Sequence, residues 1–202
     1  MTLWSGRFEG APDKDVFEHG KSLSVDRRLI DDDITGSEAW AEALGRAGVL
    51  SAADTQSIQS GLKAVRAAVA ADPSLLDRAA DEDVHSFVER ELIARIGDAG
   101  RRLHTGRSRN EQVSVDFRLY LRRQIRVVSR AVIDLVASLA DQAAVSGDAL
   151  MPSYTHMRRA QPVLVAHVWL SHAAAFRRDV DRLEAARREA DAMPLGSGAI
   201  AG

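Results

Sequence analysis

Three polar segments contain residue types that could bind or transform an anionic substrate. The first, HTGRSRNEQ at 104–112, joins a glycine turn to a long helical pattern, and Ser108 and Glu111 have the S-x-x-E spacing of a capping box. A helix N-terminus presents unpaired N–H groups, to which Arg107 and Arg109 add guanidinium groups and Asn110 an amide. The segment is a candidate carboxylate site, although simple capping with arginines facing water would explain the same pattern.

The second segment, MPSYTHMRRAQP at 151–162, falls between two long helical patterns. Its His156 stands beside Thr155, and a histidine among polar partners can exchange a proton near neutral pH. His156 is therefore a candidate acid or base, while an ordinary surface histidine is the alternative. Pro162 suits the first position of the helix expected to follow.

The third segment, DEDVHSFVE at 81–89, opens a predicted helix with acids. Compensation of the helix dipole explains them, or Asp83, His85 and Glu89 could offer acceptors to a cationic group on one face. His85 and Glu89 are four residues apart, but neither H-E-x-x-H nor another ligand cluster accompanies them in the sequence, so we predict no metal. The glycine run at 196–202 follows a helix rather than a strand, which argues against a dinucleotide site.

The elements that must position these segments are helical almost throughout. Ala, Leu, Arg and Glu dominate, and the alternation typical of strands is not convincing anywhere. We predict an all-α fold with helices at 31–47, 51–71 and 81–96, separated at Gly48 and at Asp72-Pro73. They form a mostly helical N-terminal domain over 1–107.

Two longer segments follow, at 108–145 and at about 161–192, without internal glycine or proline. Each would be about 45–55 Å long at 1.5 Å per residue. The first has apolar residues at spacings of three and four, the pattern of a helix buried along one side: Val113, Phe117, Leu121, Ile125, Val128, Val132, Leu135 and Leu139. Two such helices leave apolar surface exposed, which favours further helices or an oligomeric bundle.

Composition limits the class of protein. The 202 residues are 46% hydrophobic, enough for a core, and the net charge of −2 gives no field favouring nucleic acid or an anionic membrane. A nucleic-acid-binding module would rest only on arginine abundance, without interleaved aromatic residues. There are no cysteines, no secretory leader pattern and no stretch of about 18 apolar residues, so we expect a cytoplasmic, non-membrane protein.

Taken together, the segments resemble the argininosuccinate lyases, a branch of the fumarase/aspartase superfamily. The resemblance spans essentially the whole chain, and GRSRN separates this branch from its relatives. It rests on these blocks in order: LWSGRF at 3–8, SLSVDR at 22–27, DEDVH at 81–85, HTGRSRNEQ at 104–112, PSYTHMRRAQP at 152–162 and PLGSGAIAG at 194–202.

The resemblance implies β-elimination of argininosuccinate to arginine and fumarate, with no metal or organic cofactor. It implies that Thr155 binds a carboxylate and that His156 serves in acid/base transfer, without deciding which partner is the base. It also implies two sets of substrate-binding residues: Ser108, Arg109 and Asn110 at the succinyl end, and Ser22, Asp26 and Asp83, the acids facing the cationic end.

The family architecture implies that 108–202 is the start of a central bundle of long helices. It also implies a homotetramer in which each active site takes residues from three subunits. The G-S-S-x-M-P-x-K-x-N-P segment of the family is absent from these 202 residues, so we expect a partial sequence whose own activity is in doubt. Glu111 stands where aspartate is common, and Met157-Arg158 replaces the more usual Leu-Gln.

Two alternatives keep the helical architecture. One is an inactive structural protein, such as a lens crystallin recruited from a lyase or a truncated chain. The other is a different fumarate-releasing lyase, for example one acting on adenylosuccinate, which would need a nucleotide pocket.

Overall fold

The structure, a computed structural model, describes residues 13–198. The opening block at 3–8 and the end of the glycine run at 199–202 lie outside the described residues. The helices in chain order are α1 (Lys14–Gly20), α2 (Leu23–Asp26), α3 (Ile30–Arg46), α4 (Ala52–Ala71), α5 (Ser74–Asp77), α6 (Val84–Ile96), α7 (Asp98–Arg101), α8 (Arg109–Ser146) and α9 (Val165–Glu189). Strands β1 (Leu150–Thr155) and β2 (Arg158–Leu164) lie between α8 and α9. The predicted all-α fold class is confirmed.

Capping residues explain where the predicted helices begin and end. The Ser51 side chain accepts a hydrogen bond from the Asp54 amide at the start of α4, and Gly48, with φ of +73°, follows the end of α3. At α6 the Asp83 carboxylate accepts from the Ser86 amide at 2.6 Å. The helix therefore begins at Val84, three residues later than the predicted start at 81.

The hydrophobic core lies among α3, α4 and α6, which bury apolar side chains against one another. Ile34, Leu62 and Leu92 are fully buried there, and each such side chain contributes roughly 1.5–3 kcal/mol. Helices α4 and α6 approach closely at Gly61, where an added Cβ would lie 2.6 Å from Leu92 Cδ1. A side chain at this position would require the buried Leu92 side chain to shift.

The chain divides into two compact units. The first contains the described residues up to Tyr120 and those from Met193 onward, and the second is Leu121–Ala192. Helix α8 begins in the first unit and continues into the second. The domain division at 107–108 stays a prediction.

The second unit consists of the rest of α8, the strand pair and α9. Arg122 near its start pairs with Asp191 just after α9, at 2.9 Å, and the Val165 amide donates to the Ala149 carbonyl at the other end. The two helices therefore run antiparallel. Of the predicted apolar stripe within this unit, Ile125 is buried, while Val128 and Leu135 are 46% and 41% exposed.

The sequence-based expectation of no sheet is wrong between α8 and α9. Strands β1 and β2 form an antiparallel hairpin in which Thr155 pairs with Arg158, and α9 begins at Val165 instead of about 161. Pro162 lies in β2 opposite Pro152, not in the first turn of a helix. The hairpin is mostly exposed and has no buried face. Its sequence therefore lacks the alternation of apolar and polar residues that would indicate a strand.

Among the described residues, no helix combines the length and apolar character required to cross a membrane.

Candidate active site

The start of α8 is organised by a capping box, as the sequence predicts. Ser108 precedes the helix, its hydroxyl accepts from the Asn110 amide at 3.3 Å, and its own amide donates to Glu111 Oε1 at 2.8 Å. Asn110 itself is exposed. The helix start thus presents Ser108, Arg109 and Asn110 together.

Glu111 also holds the glycine turn that follows α9. Its Oε2 accepts from the amides of Gly196 and Gly198, each at 2.8 Å. Both glycines have positive φ, which lets successive amides converge on one anion. Burial alone would raise the pKa of Glu111, but these donors and the Ser108 amide outweigh it and lower the pKa. Part of the glycine run therefore binds an anion, namely the chain's own carboxylate.

The Arg109 side chain connects the starts of α8 and α6. It is 11% exposed, and its Nη1 donates to Gln112 Oε1 at 2.9 Å. Nη2 lies 3.5 Å from Glu89 Oε2, and Nε lies 4.0 Å from Asp83 Oδ2. The guanidinium is thus held on one side by an amide and on the other by two carboxylates of the DEDVHSFVE segment.

Ser22 and Asp26 join the same region through the start of α6. The Ser22 hydroxyl donates to Asp26 Oδ2 at 2.6 Å, and Asp26 Oδ1 accepts from the Val84 amide at 3.1 Å. Burial raises the pKa of Asp26, and the charge of Asp83 adds to that effect while the Ser22 hydrogen bond opposes it. The described contacts therefore bring Ser22, Asp26, Asp83 and Arg109 into one continuous group.

A buried charge cluster, absent from the sequence-based predictions, lies behind this group. His85 Nδ1 is 2.8 Å from Asp33 Oδ1 and 3.2 Å from Asp116 Oδ2, and all three side chains are at most 2% exposed. Gln112 Nε2 donates to Asp33 Oδ1 at 2.5 Å. We call Asp33, His85, Asp116 and Gln112 the buried cluster; it connects α3, α6 and α8.

Electrostatics in the buried cluster favour an imidazolium between carboxylates. Burial lowers the pKa of His85, but its hydrogen bonds to Asp116 and Asp33 outweigh that and raise it to about 9. Burial, together with the charge of Asp33, raises the pKa of Asp116 to about 7. Burial would also raise the pKa of Asp33, but His85 lowers it overall.

The buried cluster also changes the argument about metals. Among residues 13–198, donor atoms of Asp33, His85 and Asp116 lie within 4.8 Å of one another, as metal ligands do. The sequence alone did not show that Asp33 and Asp116 lie beside His85. Glu89, the partner considered from the sequence, is not part of this group. Here the Nδ1 of His85 faces both carboxylates at hydrogen-bonding distance, so its proton supplies the charge that a cation would supply.

Arg107 differs from the expectation that its guanidinium lies at the helix start. It is 9% exposed, and its Nη1 donates to the Ser37 hydroxyl at 3.0 Å. Burial lowers its pKa, while the negative charge of Asp33 and Asp116 opposes that effect. Arg107 therefore adds its charge to the buried cluster. The sequence did contain one indication of the buried cluster: Gln112 and Asp116 are four residues apart, which places two polar side chains on the same face of α8 beside the buried Val115.

Thr155 and His156 belong to the second unit, where they occupy the turn end of the hairpin. Both are exposed. His156 and Met157 have φ of 50° and 61°, the left-handed values of a two-residue hairpin turn. The turn thus presents the imidazole of His156 at an exposed tip.

Chemically, the first unit can hold a substrate that has both anionic and cationic groups. Ser108, Arg109 and Asn110 are donors suited to carboxylates, and Asp26 and Asp83 are acceptors suited to a cation. Within the second unit, taken by itself, the hairpin presents an imidazole able to transfer protons.

Comparison with known proteins shows which family the chain is similar to. A family model described as lyase matches residues 6–202. The argininosuccinate lyase of Koribacter versatilis (strain Ellin345) is 46% identical over 205 residues, covering 100% of this chain and 43% of that protein. The argininosuccinate lyase of Caldanaerobacter subterraneus subsp. tengcongensis is 45% identical, covering 100% of this chain and 45% of that protein. The chain thus spans less than half the length of these relatives, and the resemblance seen in the sequence is confirmed.

Two solved structures that this chain resembles in fold are lyases. An EDDS lyase variant with bound fumarate matches with a TM-score of 0.77 and 26% identity, over 96% of this chain and 38% of that chain. A fumarate lyase from Mesorhizobium sp. BNC1 matches with a TM-score of 0.71 over 92% of this chain and 42% of its own; at 22% identity it shows the fold alone.

Proposed function

This chain belongs to the lyase family, and from that premise we propose that it is part of an argininosuccinate lyase, which cleaves argininosuccinate to arginine and fumarate. The matched relatives carry that name, and the chain covers 43–45% of their length. The activity proposed is therefore that of the whole protein.

The observation that carries the proposal is the opposition of charges in the first unit. Arg109 lies 4.0 Å from Asp83, and the start of α8 adds Ser108 and Asn110. Argininosuccinate has a dicarboxylate at one end and a cationic guanidinium toward the other. The two ends match the donor and acceptor sides of this group.

The reaction sets the roles of the residues. A base removes a proton from the carbon beside a carboxylate, the carbon–nitrogen bond breaks, a carbon–carbon double bond forms, and the leaving guanidino nitrogen receives a proton. Negative charge grows on the succinyl carboxylate meanwhile, so fixed donors there accelerate the elimination. We assign this stabilisation to Ser108, Arg109 and Asn110, and placement of the cationic end to Asp26 and Asp83, with Ser22 fixing Asp26.

Thr155 and His156 complete the proposal from the second unit. We assign carboxylate binding to Thr155 and proton transfer to His156, without naming it as base or acid. The exposure of both side chains is compatible with access to a substrate. The proposal includes no metal or organic cofactor.

The assembly and setting proposed follow the family resemblance. We propose a homotetramer in which each active site takes residues from three subunits, with residues 108–202 forming the start of its central bundle. Exposed apolar side chains on the second-unit part of α8, including Val127, Val128 and Ile133, support an oligomer. Arginine biosynthesis in the cytoplasm is part of the same proposal.

The test is fumarate release, followed by its absorbance, from the full-length protein supplied with argininosuccinate. Ser108→Ala and His156→Asn should each lower turnover at least tenfold, because each removes a proposed contact to the reacting groups. His172→Asn is the matched control on the exposed surface of α9 and should leave turnover unchanged. Near-normal turnover in His156→Asn would exclude its assigned role.

Substrate competition separates the alternatives. Faster fumarate release from adenylosuccinate than from argininosuccinate would reassign the enzyme to another branch of the superfamily. No fumarate release from either substrate by the correctly assembled protein would favour the structural alternative.

A further inference from the structure

A continuous line of hydrogen bonds connects the Arg109 guanidinium, which is 11% exposed, to the buried cluster. Arg109 Nη1 donates to Gln112 Oε1 at 2.9 Å, Gln112 Nε2 donates to Asp33 Oδ1 at 2.5 Å, and His85 Nδ1 faces the same oxygen at 2.8 Å. Asp116 Oδ2 lies 3.2 Å from the same nitrogen. The line runs from the proposed carboxylate site to an imidazole between two buried carboxylates.

The directions of the two hydrogen bonds made by Gln112 are determined by the chemistry of Arg109. Arg109 is only a donor, so Gln112 must turn its carbonyl oxygen toward it. The Gln112 NH2 group then points at Asp33, which must accept. Asp33 accepts on Oδ1, the oxygen that also faces His85 Nδ1, and it accepts most strongly as a carboxylate.

Asp33 needs a cation to stay in that state. Its side chain is fully buried, and a buried carboxylate without a compensating charge takes up a proton. His85 supplies that charge in direct contact, and Arg107 adds to it from nearby. Asp116 faces His85 from α8 and keeps the imidazole protonated.

We propose that His85 and Gln112 are positioning residues, which hold the Arg109 guanidinium in place for the substrate carboxylate through the line Arg109–Gln112–Asp33–His85. The inference rests on the proposed function, in which Arg109 binds the succinyl end. Neither residue touches substrate. When His85 loses its charge, Asp33 takes up a proton. With that proton on Oδ1, the Gln112 amide rotates so that its carbonyl oxygen accepts from Asp33, and its NH2 group then faces the guanidinium, donor against donor.

The experiment uses the full-length protein and two readouts. Modification of Arg109 by phenylglyoxal, mapped by peptide mass spectrometry, reports whether the guanidinium is held. Steady-state kinetics with argininosuccinate separates KM from kcat. The variants are Gln112→Met, which removes both amide contacts, Gln112→Asn, which is too short to span them, and His85→Asn, which keeps a neutral donor but removes the charge.

We expect each variant to raise the rate of Arg109 modification at least threefold. KM should rise and kcat should fall, so that kcat/KM drops at least tenfold, because Arg109 is assigned both to binding the carboxylate and to stabilising its growing charge. Gln142→Met, an exposed position on the same helix, is the matched control and should leave both readouts unchanged. A merely structural role would lower the yield of folded protein without moving KM or the reactivity of this one arginine. If His85→Asn fails to fold, the two Gln112 variants carry the test, since they leave the ion pairs of the buried cluster intact.

Three outcomes would overturn the inference. The first is folded Gln112 variants with the reactivity of Arg109 and KM of the unmodified sequence. The second is His85→Asn behaving like the control, which would show that the charge of His85 is not needed. The third is Zn²⁺ raising the melting temperature of the parent protein but not of His85→Asn, which would make the cluster a metal site. Absence of turnover in the parent protein would refute the proposed function, while the modification readout would still test the line of hydrogen bonds.

Discussion

The two compact units use charged residues in different ways. In the first unit, His85 pairs with Asp33 and Asp116 where all three side chains are at most 2% exposed, and the contacts join three helices. In the second, the ion pairs along α9 join residues three or four apart on its surface, as between Arg177 and Asp181 at 2.7 Å. Removing any one partner of a buried ion pair strongly lowers the stability of the fold, because the other charge is left buried and unpaired. An exposed pair within a helix contributes only about 0.3–0.5 kcal/mol to stability.

The same contrast holds for apolar residues. Leu62 and Leu92 are fully buried within the first unit, while Val127, Ile133 and Leu135 of α8 are 41–61% exposed in the second. The first unit therefore closes a core from its own helices. The second presents apolar surface that a partner surface would have to cover.

The largest expected effect comes from truncating one leucine in each unit. Leu62→Ala should lower the free energy of unfolding by about 3 kcal/mol, because it removes buried methyl groups and leaves a cavity. Leu135→Ala, at a position 41% exposed, should cost less than about 1 kcal/mol. Urea unfolding measures both. An equally large and concentration-dependent loss for Leu135→Ala would show that α8 is covered by another subunit in solution.

The next largest effect is the change in the free energy of unfolding with pH. The pKa of His85 is raised to about 9, so its stabilising contribution is complete below its unfolded pKa of about 6.5 and is lost as pH rises through about 9. The groups facing it are Asp33 from α3, Asp116 from α8, Arg107 before α8 and Asp26 from α2. We expect the free energy of unfolding to fall by up to about 3 kcal/mol over this window, since one pKa unit is about 1.4 kcal/mol.

Denaturant titrations at pH 6, 7.5 and 9 check this, with His85→Asn and the surface variant His172→Asn as comparison. The part of the fall centred near pH 9 should disappear in His85→Asn, which leaves only the titration of the buried carboxylates, and it should persist in His172→Asn. A parent protein equally stable at all three pH values would contradict the buried imidazolium.

A smaller change in the free energy of unfolding is expected when either of two glutamates is replaced, and it should differ between them. Glu111→Gln should cost about 1–2 kcal/mol, because its amide would place a donor against the amides of Ser108, Gly196 or Gly198. Glu184→Gln, which weakens an exposed pair with Arg187 on α9, should cost no more than about 0.5 kcal/mol. Hydrogen exchange should accelerate at Gly196 and Gly198 in the first variant only. Unchanged exchange there would show that the turn does not depend on Glu111.

The smallest effects should have opposite signs at two turns. Met157→Gly in the hairpin should stabilise by less than about 1 kcal/mol, because glycine adopts the left-handed φ of 61° without a Cβ clash. Gly48→Ala after α3, at φ of +73°, should destabilise by about 1 kcal/mol for the converse reason. Thermal melts of the two variants provide the measurement; a loss of stability in Met157→Gly would mean that the Met157 side chain makes contacts worth more than the backbone strain.

Much of the helical architecture could be predicted because its signals are local. The helices predicted at 31–47, 51–71 and 108–145 are observed at Ile30–Arg46, Ala52–Ala71 and Arg109–Ser146. Periodicity, capping serines and the glycine at 48 determine these limits within a few residues of the chain. The hairpin was not predicted because its strands are exposed and its His156-Met157 turn is not one of the glycine-containing pairs typical of hairpins.

The candidate site was predictable only in part, because only some of its contacts join residues that are close together in the sequence. The sequence by itself determined the capping box at Ser108 and Glu111 and the grouping of donors at one helix start, since both depend on residues at most three positions apart. Only the tertiary structure decided that Arg107 turns inward to Ser37, that Asp33 and Asp116 enclose His85, and that Gln112 connects them to Arg109. Apart from the Arg109–Gln112 bond, which spans three positions, those contacts join residues 31 to 79 positions apart. The burial that makes their charges depend on one another exists only once α3, α6 and α8 have packed.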